Sequence, residues 1–222
     1  YSAEHGFYGG NGIVGAQVPL GTGLAFAHKY KKDDGVCVTY FGDGATNQGQ
    51  VYEAFNMAQL WGLPVLYVIE NNQYAMGTSV ERSSADTHLY RRGSGFNIPG
   101  REVDGMDVVA VQAAAEEGLA WCREGNGPMI LEMKTYRYRG HSMSDPAKYR
   151  SKDEVKQVRA DHDPIDQLRA RILEQEAADE AALKEIDREV KATVAEAAEF
   201  AQSSPQPDPA EIYTDVLIGD NA

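Results

Sequence analysis

The sequence predicts an α/β fold: an open, mostly parallel sheet with helices on both faces, followed by C-terminal amphipathic helices. Three observations predict it. Two short, nearly continuous apolar runs, Val36-Cys37-Val38-Thr39-Tyr40-Phe41 and Val65-Leu66-Tyr67-Val68-Ile69, read as strands covered on both faces. The stretch between them carries helical spacing, so strand, helix and strand form a βαβ unit with a parallel, right-handed crossover. Beyond Pro164 apolar residues recur at helical spacing among charges. With 222 residues, 42% of them hydrophobic, the chain can bury one sizeable core, as one domain or one domain with an appendage.

The elements follow in order. Residues 1–16 are Gly-rich and irregular. From Gln17 to Tyr30, Val18, Leu20, Leu24 and Phe26 among small residues predict a helix with a mostly buried surface. Lys31-Lys32-Asp33-Asp34-Gly35 is a charged turn before the first strand. Gln50 to Trp61 reads as a helix with Val51, Ala54, Phe55 and Ala58 on one face, stopped by Gly62-Leu63-Pro64 ahead of the second strand. A further helix at about 107–124 and a strand over Met129–Tyr136 repeat the pattern. Residues 1–160 are thus expected to form the α/β core. Residues 161–204 are expected to add helices packed on it, marked by Ile165, Leu168, Ile172, Leu183, Ile186, Val190 and Val194, and residues 205–222 to form a Pro-rich tail.

Charge narrows the function classes. The net charge of −13 is uneven, with 13 basic against 16 acidic side chains through residue 150 and 8 against 18 after it. No basic stripe is present to neutralise phosphates, which argues against nucleic-acid binding. The acidic surplus reads as a solvated helical face, with a docking surface for a basic partner as the alternative. No run of 18 apolar residues and no signal-peptide pattern occurs, so a soluble protein with no membrane partner is expected. Cys37 and Cys122, both expected to be buried, point to a reducing compartment and no disulfide framework.

Chemistry concentrates in Phe41-Gly42-Asp43-Gly44-Ala45 and, one strand later, Glu70-Asn71-Asn72. Ligands in open α/β sheets bind at the carboxyl ends of the strands, where Asp43 is expected. Glycines there let backbone N–H groups approach a bulky anion, and the following helix turns its positive end toward it. Asp43 would supply the hard oxygen that Mg²⁺ prefers. Asn72, 29 residues later at the end of the next strand, would add a neutral amide oxygen, limiting the negative charge that faces a diphosphate. Either half alone could be an ordinary turn; together they predict a site for Mg²⁺ and a diphosphate.

Two other patterns are decoys. Gly10-Asn11-Gly12-Ile13-Val14-Gly15 matches the dinucleotide fingerprint, but no strand precedes it. Asp161-His162-Asp163 resembles a metal cluster, yet it stands just before Pro164 at a helix start and reads as a cap.

The stretch Gly42-Asp43-Gly44 through Asn71-Asn72 resembles the thiamine-diphosphate motif. The wider text, from about Phe7 to Phe200, resembles the α subunits of pyruvate dehydrogenase E1 components, within the thiamine-diphosphate-dependent 2-oxoacid dehydrogenases. Three further stretches carry the likeness: Phe7–Gln17, Glu70–Arg82 and Tyr136–Pro146. The resemblance implies a thiamine-diphosphate-binding fold with thiamine diphosphate and Mg²⁺ as cofactors. It implies Asp43 and Asn72 as side-chain metal ligands, and Tyr74 through its carbonyl. Gly42, Gly44 and Ala45 would lie along the diphosphate, while Gly12 and Val14 would contact the aminopyrimidine. His141 would be a catalytic loop histidine that also touches the cofactor.

The implied reaction is oxidative decarboxylation of pyruvate with transfer of the acetyl group to a lipoyl group. The implied partners are an E1 β subunit in an α₂β₂ heterotetramer and a lipoyl-bearing E2. The implied place is the bacterial cytoplasm or the mitochondrial matrix. The glutamate that activates the aminopyrimidine would come from the β subunit, leaving Glu53 and Glu70 structural. Arg137 and Arg139 either fix the His141 loop or cover surface. Ser79 and Ser142 match positions phosphorylated in eukaryotic relatives, while Ala147-Lys148-Tyr149 departs from the third such position, so bland loop serines are favoured. The chain opens on Tyr1, and family members carry a substantial segment before the part matching Phe7, so a fragment is expected. Competing readings are an E1 α subunit acting on acetoin or branched-chain 2-oxoacids, and a non-catalytic assembly module.

Overall fold

The computed structural model describes residues 2–214. In chain order its elements are α1 (Gln17–Lys31), β1 (Cys37–Gly42), α2 (Gly49–Leu60), β2 (Val65–Asn71), β3 (Tyr74–Ala75), β4 (Thr78–Ser79), α3 (Val80–Ser83), β5 (Gly100–Asp104), α4 (Val108–Arg123), β6 (Met129–Lys134), α5 (Lys152–His162), α6 (Pro164–Glu174) and α7 (Glu180–Ser203), with short 3₁₀ turns between. Four strands form one sheet in the order β1-β2-β6-β5, parallel throughout, and β3 and β4 form a separate antiparallel hairpin. The expected α/β class with a parallel sheet and helices against it is what the chain adopts.

The central strand shows why a continuous apolar run was needed. Successive side chains of a strand point to opposite faces. In β2, Val65, Tyr67 and Ile69 join one core with Phe41, Ile130, Phe55 of α2 and Val18 of α1. Leu66 and Val68 join the other core with Leu131, Met133, and Ala114 and Cys122 of α4. Helix α1 reaches the sheet through small residues, and a Cβ on Gly21 would fall 1.8 Å from Thr39 Oγ1. Beside it Thr22 Oγ1 meets the hydroxyl of buried Tyr67 at 2.6 Å, a polar pair closed within the core.

Several elements depart from the sequence reading, the β3–β4 hairpin and α3 among them. Strand β5 was not expected: it is an edge strand whose Gly-Arg-Glu-Val-Asp buries only Val103, so no apolar run marks it. The strand expected through Tyr136 ends at Lys134, because β5 and β2 end there too and Thr135 N–H turns to Asn71 O at 2.9 Å. Helix α5 was also missed; it has no buried residue, and its signal is local, Ser151 Oγ accepting Glu154 N–H at 3.0 Å. Cys37 is half-buried and Cys122 buried, both as free thiols.

The chain divides into two compact units, residues 1–168 and 169–222, the boundary falling within α6. The first contains the sheet and both cores. The second contains α7, capped by Asp179 and lined by i,i+3 and i,i+4 pairs such as Arg188–Glu185 and Lys191–Asp187. The part of the Pro-rich tail beyond Thr214 lies outside the described residues. Among the described residues no helix is long and apolar enough to cross a membrane.

Candidate metal and diphosphate site

Strand register brings the site together. Gly42 pairs with Glu70 and Asn71 with Lys134, so Asp43, Asn72 and residues 135–137 all leave the sheet at its carboxyl edge. Asp43 is buried there, followed by a 3₁₀ turn over Gly44–Asn47 and then by α2. Thr46 Oγ1 donates to Asp43 O at 2.6 Å and locks that turn. Burial raises the Asp43 carboxyl above its ordinary value, opposed by its own backbone N–H, by the Arg137 guanidinium and by the backbone N–H of Asn72. A carboxylate held in that balance gains from any added cation.

The second half lies after β2. Asn72 Oδ1 accepts Tyr74 N–H at 3.3 Å, and the β3–β4 hairpin carries Tyr74 forward. Arg137, on the segment after β6, donates to Tyr74 O at 2.9 Å, to Asn72 Oδ1 at 3.4 Å, to Met76 O at 2.7 Å and to Tyr149 Oη at 2.8 Å. A cation thus already engages the amide and carbonyl oxygens named as ligands from the sequence. Asp43, Asn72 and the Tyr74 carbonyl form an all-oxygen donor set with one carboxylate, which suits Mg²⁺ completed by phosphate oxygens. Among the described residues no group of three or more His, Cys, Asp or Glu gathers for a metal, so no carboxylate cage competes with that arrangement. The donor chemistry fits the metal, which would take over the Asn72 and Tyr74 oxygens now held by the Arg137 guanidinium.

The remaining sequence-named residues divide. Gly42, Gly44 and Ala45 stand with Asp43, and a Cβ on Gly44 would come 2.5 Å from that of Ala75, so the phosphate-side turn and the hairpin touch. Gly12 and Val14 lie in an exposed loop, tethered to the start of α2 by Gln50 Nε2 donating to Val14 O at 3.0 Å. His141 is exposed, its backbone N–H donating to Asp145 Oδ2 at 2.7 Å. That bond, with those from Ala147 N–H and Tyr149 Oη–H, pulls the Asp145 carboxyl down to about 2. The Arg150 guanidinium donates to the carbonyls of Arg137 and Arg139, closing the loop at its base. Of the two readings left open for Arg137, the structure supports bonding rather than surface cover. Glu53 and Glu70 are exposed, and Ser79 caps α3 by accepting Arg82 N–H. Ser142 Oγ bonds Ser144 Oγ at 3.0 Å within the His141 loop.

Both decoys resolve as expected. The Gly10–Gly15 run is preceded by a short turn and an isolated bridge rather than by a strand. Asp163 Oδ1 accepts the N–H groups of Ile165 and Asp166 at the start of α6. A groove of ≈ 330 Å³ between α1 and α2, lined by Thr22, Phe26, Met57 and Trp61, is largely apolar and holds neither Asp43 nor Asn72. One residue of the site escaped the sequence reading: Glu132, wholly buried in β6 and bonded to Asn71. Its signal was present, a single charge inside the apolar run Met129–Met133.

Comparison with known proteins decides the family. The model of the dehydrogenase E1 component family matches residues 1–210. The chain belongs to the dehydrogenase E1 component family. It is 64% identical over 218 residues to a pyruvate dehydrogenase E1 component subunit alpha of Rhizobium meliloti (strain 1021), covering 98% of this chain and 63% of that protein. A protein of the same description from Zymomonas mobilis subsp. mobilis is 58% identical, covering 99% and 62%. A mitochondrial one from Sminthopsis macroura is 54% identical, covering 90% and 55%. The chain spans less than two thirds of the length of these curated relatives.

Proposed function

We propose that this chain is the α subunit, or part of the α subunit, of a pyruvate dehydrogenase E1 component. In this reading it holds the diphosphate end of thiamine diphosphate for the oxidative decarboxylation of pyruvate and transfer of the acetyl group to a lipoyl group of E2. The observation that carries the reading is the convergence of Asp43, Asn72 and the Tyr74 carbonyl beside the turn that opens α2, in a chain of this family. Bound there, thiamine diphosphate supplies the electron sink that decarboxylation of a 2-oxoacid requires.

The chain's own residues would bind and orient. Asp43, Asn72 and Tyr74 O would take Mg²⁺, and Gly42, Gly44 and Ala45 would leave the backbone open to the phosphates. Gly12 and Val14 would line the aminopyrimidine. His141 would stand at the reacting end, stabilising charge or moving a proton at its imidazole, on a loop ordered by Asp145 and Arg137. An E1 β subunit would complete the site in an α₂β₂ assembly, in the bacterial cytoplasm or the mitochondrial matrix.

Calorimetric titration of thiamine diphosphate with and without Mg²⁺, and with and without an E1 β subunit, tests the reading. Metal-dependent binding is expected, and it should be abolished in Asp43→Ala with the fold retained. No binding by the wild type even with the partner would overturn the reading in favour of an assembly module. Decarboxylation of pyruvate against branched-chain 2-oxoacids by the reconstituted assembly, with acetoin, which carries no carboxylate, assayed by acetyl transfer to the lipoyl group instead, decides the substrate.

A further inference from the structure

Glu132 is a carboxylate in a place where stability alone does not call for one. It sits in the middle of β6, wholly buried, on the face of the sheet that otherwise packs Ile130 against Phe55 and Leu89. Replacing buried ionic groups with apolar ones is often neutral or stabilising, so a buried carboxylate asks for a different reason.

Its bonds supply one. Asn71 Nδ2 donates to Glu132 Oε1 at 2.6 Å, and Tyr90 N–H donates to Oε2 at 2.9 Å, with Lys134 Nζ 3.6 Å from Oε1. A carboxylate only accepts, so it dictates which way the Asn71 amide faces. With its NH₂ turned to Glu132, Asn71 presents Oδ1 to the turn beyond β2 and accepts Gln73 N–H at 3.0 Å. Gln73 has φ +75°, a left-handed backbone that non-glycine residues adopt uncommonly and that its surroundings must hold. Gln73 O then accepts Val80 N–H at 3.1 Å, which ties the far end of the hairpin. Asn72 and Tyr74, the two acceptors after β2, flank Gln73 on either side.

We propose that Glu132 is a positioning residue for the metal site: through Asn71 it sets the turn at Gln73, and so places Asn72 Oδ1 and the Tyr74 carbonyl opposite Asp43. The inference rests on the proposed metal–diphosphate function.

The test is a donor–acceptor exchange. Glu132→Gln places an NH₂ where an acceptor is needed, and Mn²⁺ affinity, read by electron paramagnetic resonance in the presence of thiamine diphosphate, should fall about 10- to 100-fold, as loss of ligand-orienting partners does. The double variant Asn71→Asp/Glu132→Gln restores the pair reversed. The new amide at position 132 donates to the new carboxylate at position 71, whose second oxygen accepts Gln73 N–H, and one negative charge remains. Its affinity should return to within about threefold of wild type. Wild-type affinity in Glu132→Gln overturns the inference, as does a folded double variant that binds no better than Glu132→Gln. If Glu132→Gln does not fold, Asn71→Ala cuts the same link while leaving the carboxylate to Tyr90 and Lys134, and unchanged Mn²⁺ affinity there overturns the inference equally. Binding by the wild type separates the two claims. With wild-type binding intact only the positioning role is at stake, whereas no Mn²⁺ binding by the wild type removes the proposed function and this inference together.

Discussion

Gly44 is the point where the two halves of the site touch, and Gly44→Ala turns that contact into a measurement. A Cβ there would meet Ala75 Cβ at 2.5 Å. Carbon atoms rest at about 3.5–4.0 Å, so the two segments must part by about 1 Å. Gly44 is flanked by buried Asp43 and Ala45, whereas the hairpin bearing Ala75 has two-residue strands and an exposed tip at Met76 and Gly77. The hairpin is therefore the part that moves, and Tyr74 moves with it.

Mg²⁺ demands oxygens at about 2.0–2.1 Å in near-ideal octahedral geometry, so a ligand displaced on that scale is lost or strained. Overpacking of this kind costs about 1–3 kcal/mol, which at 1.4 kcal/mol per decade is roughly a 5- to 150-fold loss of affinity. Calorimetric titration with Mg²⁺ and thiamine diphosphate measures it, and thermal melting without metal should change little. The control is Gly44→Ala/Ala75→Gly, which removes the opposing methyl and should restore most of the affinity. Unchanged affinity in Gly44→Ala would refute the reasoning. A loss that Ala75→Gly fails to relieve would refute it too, by showing that the new methyl obstructs the phosphates rather than the hairpin.

Arg137→Met removes the donors to Tyr74 O, Met76 O and Tyr149 Oη, so proteolytic cleavage within residues 139–148 should accelerate by roughly tenfold or more, the loss of about one charged hydrogen bond; an unchanged cleavage rate would show that Arg150 holds the loop alone. Tyr67→Phe deletes the hydroxyl that meets Thr22, which keeps its own bond to Val18 O, so the cost should be about 1 kcal/mol and the melting temperature should fall by about 2–4 °C. A larger fall would mean that Thr22 depends on the tyrosine for its position.

The sheet strands β1 and β2 and the helices α1, α2 and α4 were legible in the sequence because each buries a patterned face. β5 and α5 were not, because an edge strand and an exposed helix need no such face. The site divides in the same way. Asp43 and Asn72 could be read as partners because one βαβ crossover separates them. The bonds of Arg137 to Tyr74 and of Glu132 to Asn71 could not, because both residues come from a third strand and its exit, whose place beside β2 is set by the order β1-β2-β6-β5.

Fold class, family and the candidate oxygen ligands follow from the amino-acid order alone, since local periodicity and short motifs encode all three. What surrounds those ligands comes only with tertiary packing. Parallel register set Lys134 beside Asn71, and so brought the guanidinium of Arg137 to the carbonyl of Tyr74 and the carboxylate of Glu132 to the amide of Asn71. Those contacts join residues more than sixty positions apart, a separation that no local pattern records and that only the packing of β6 against β2 closes.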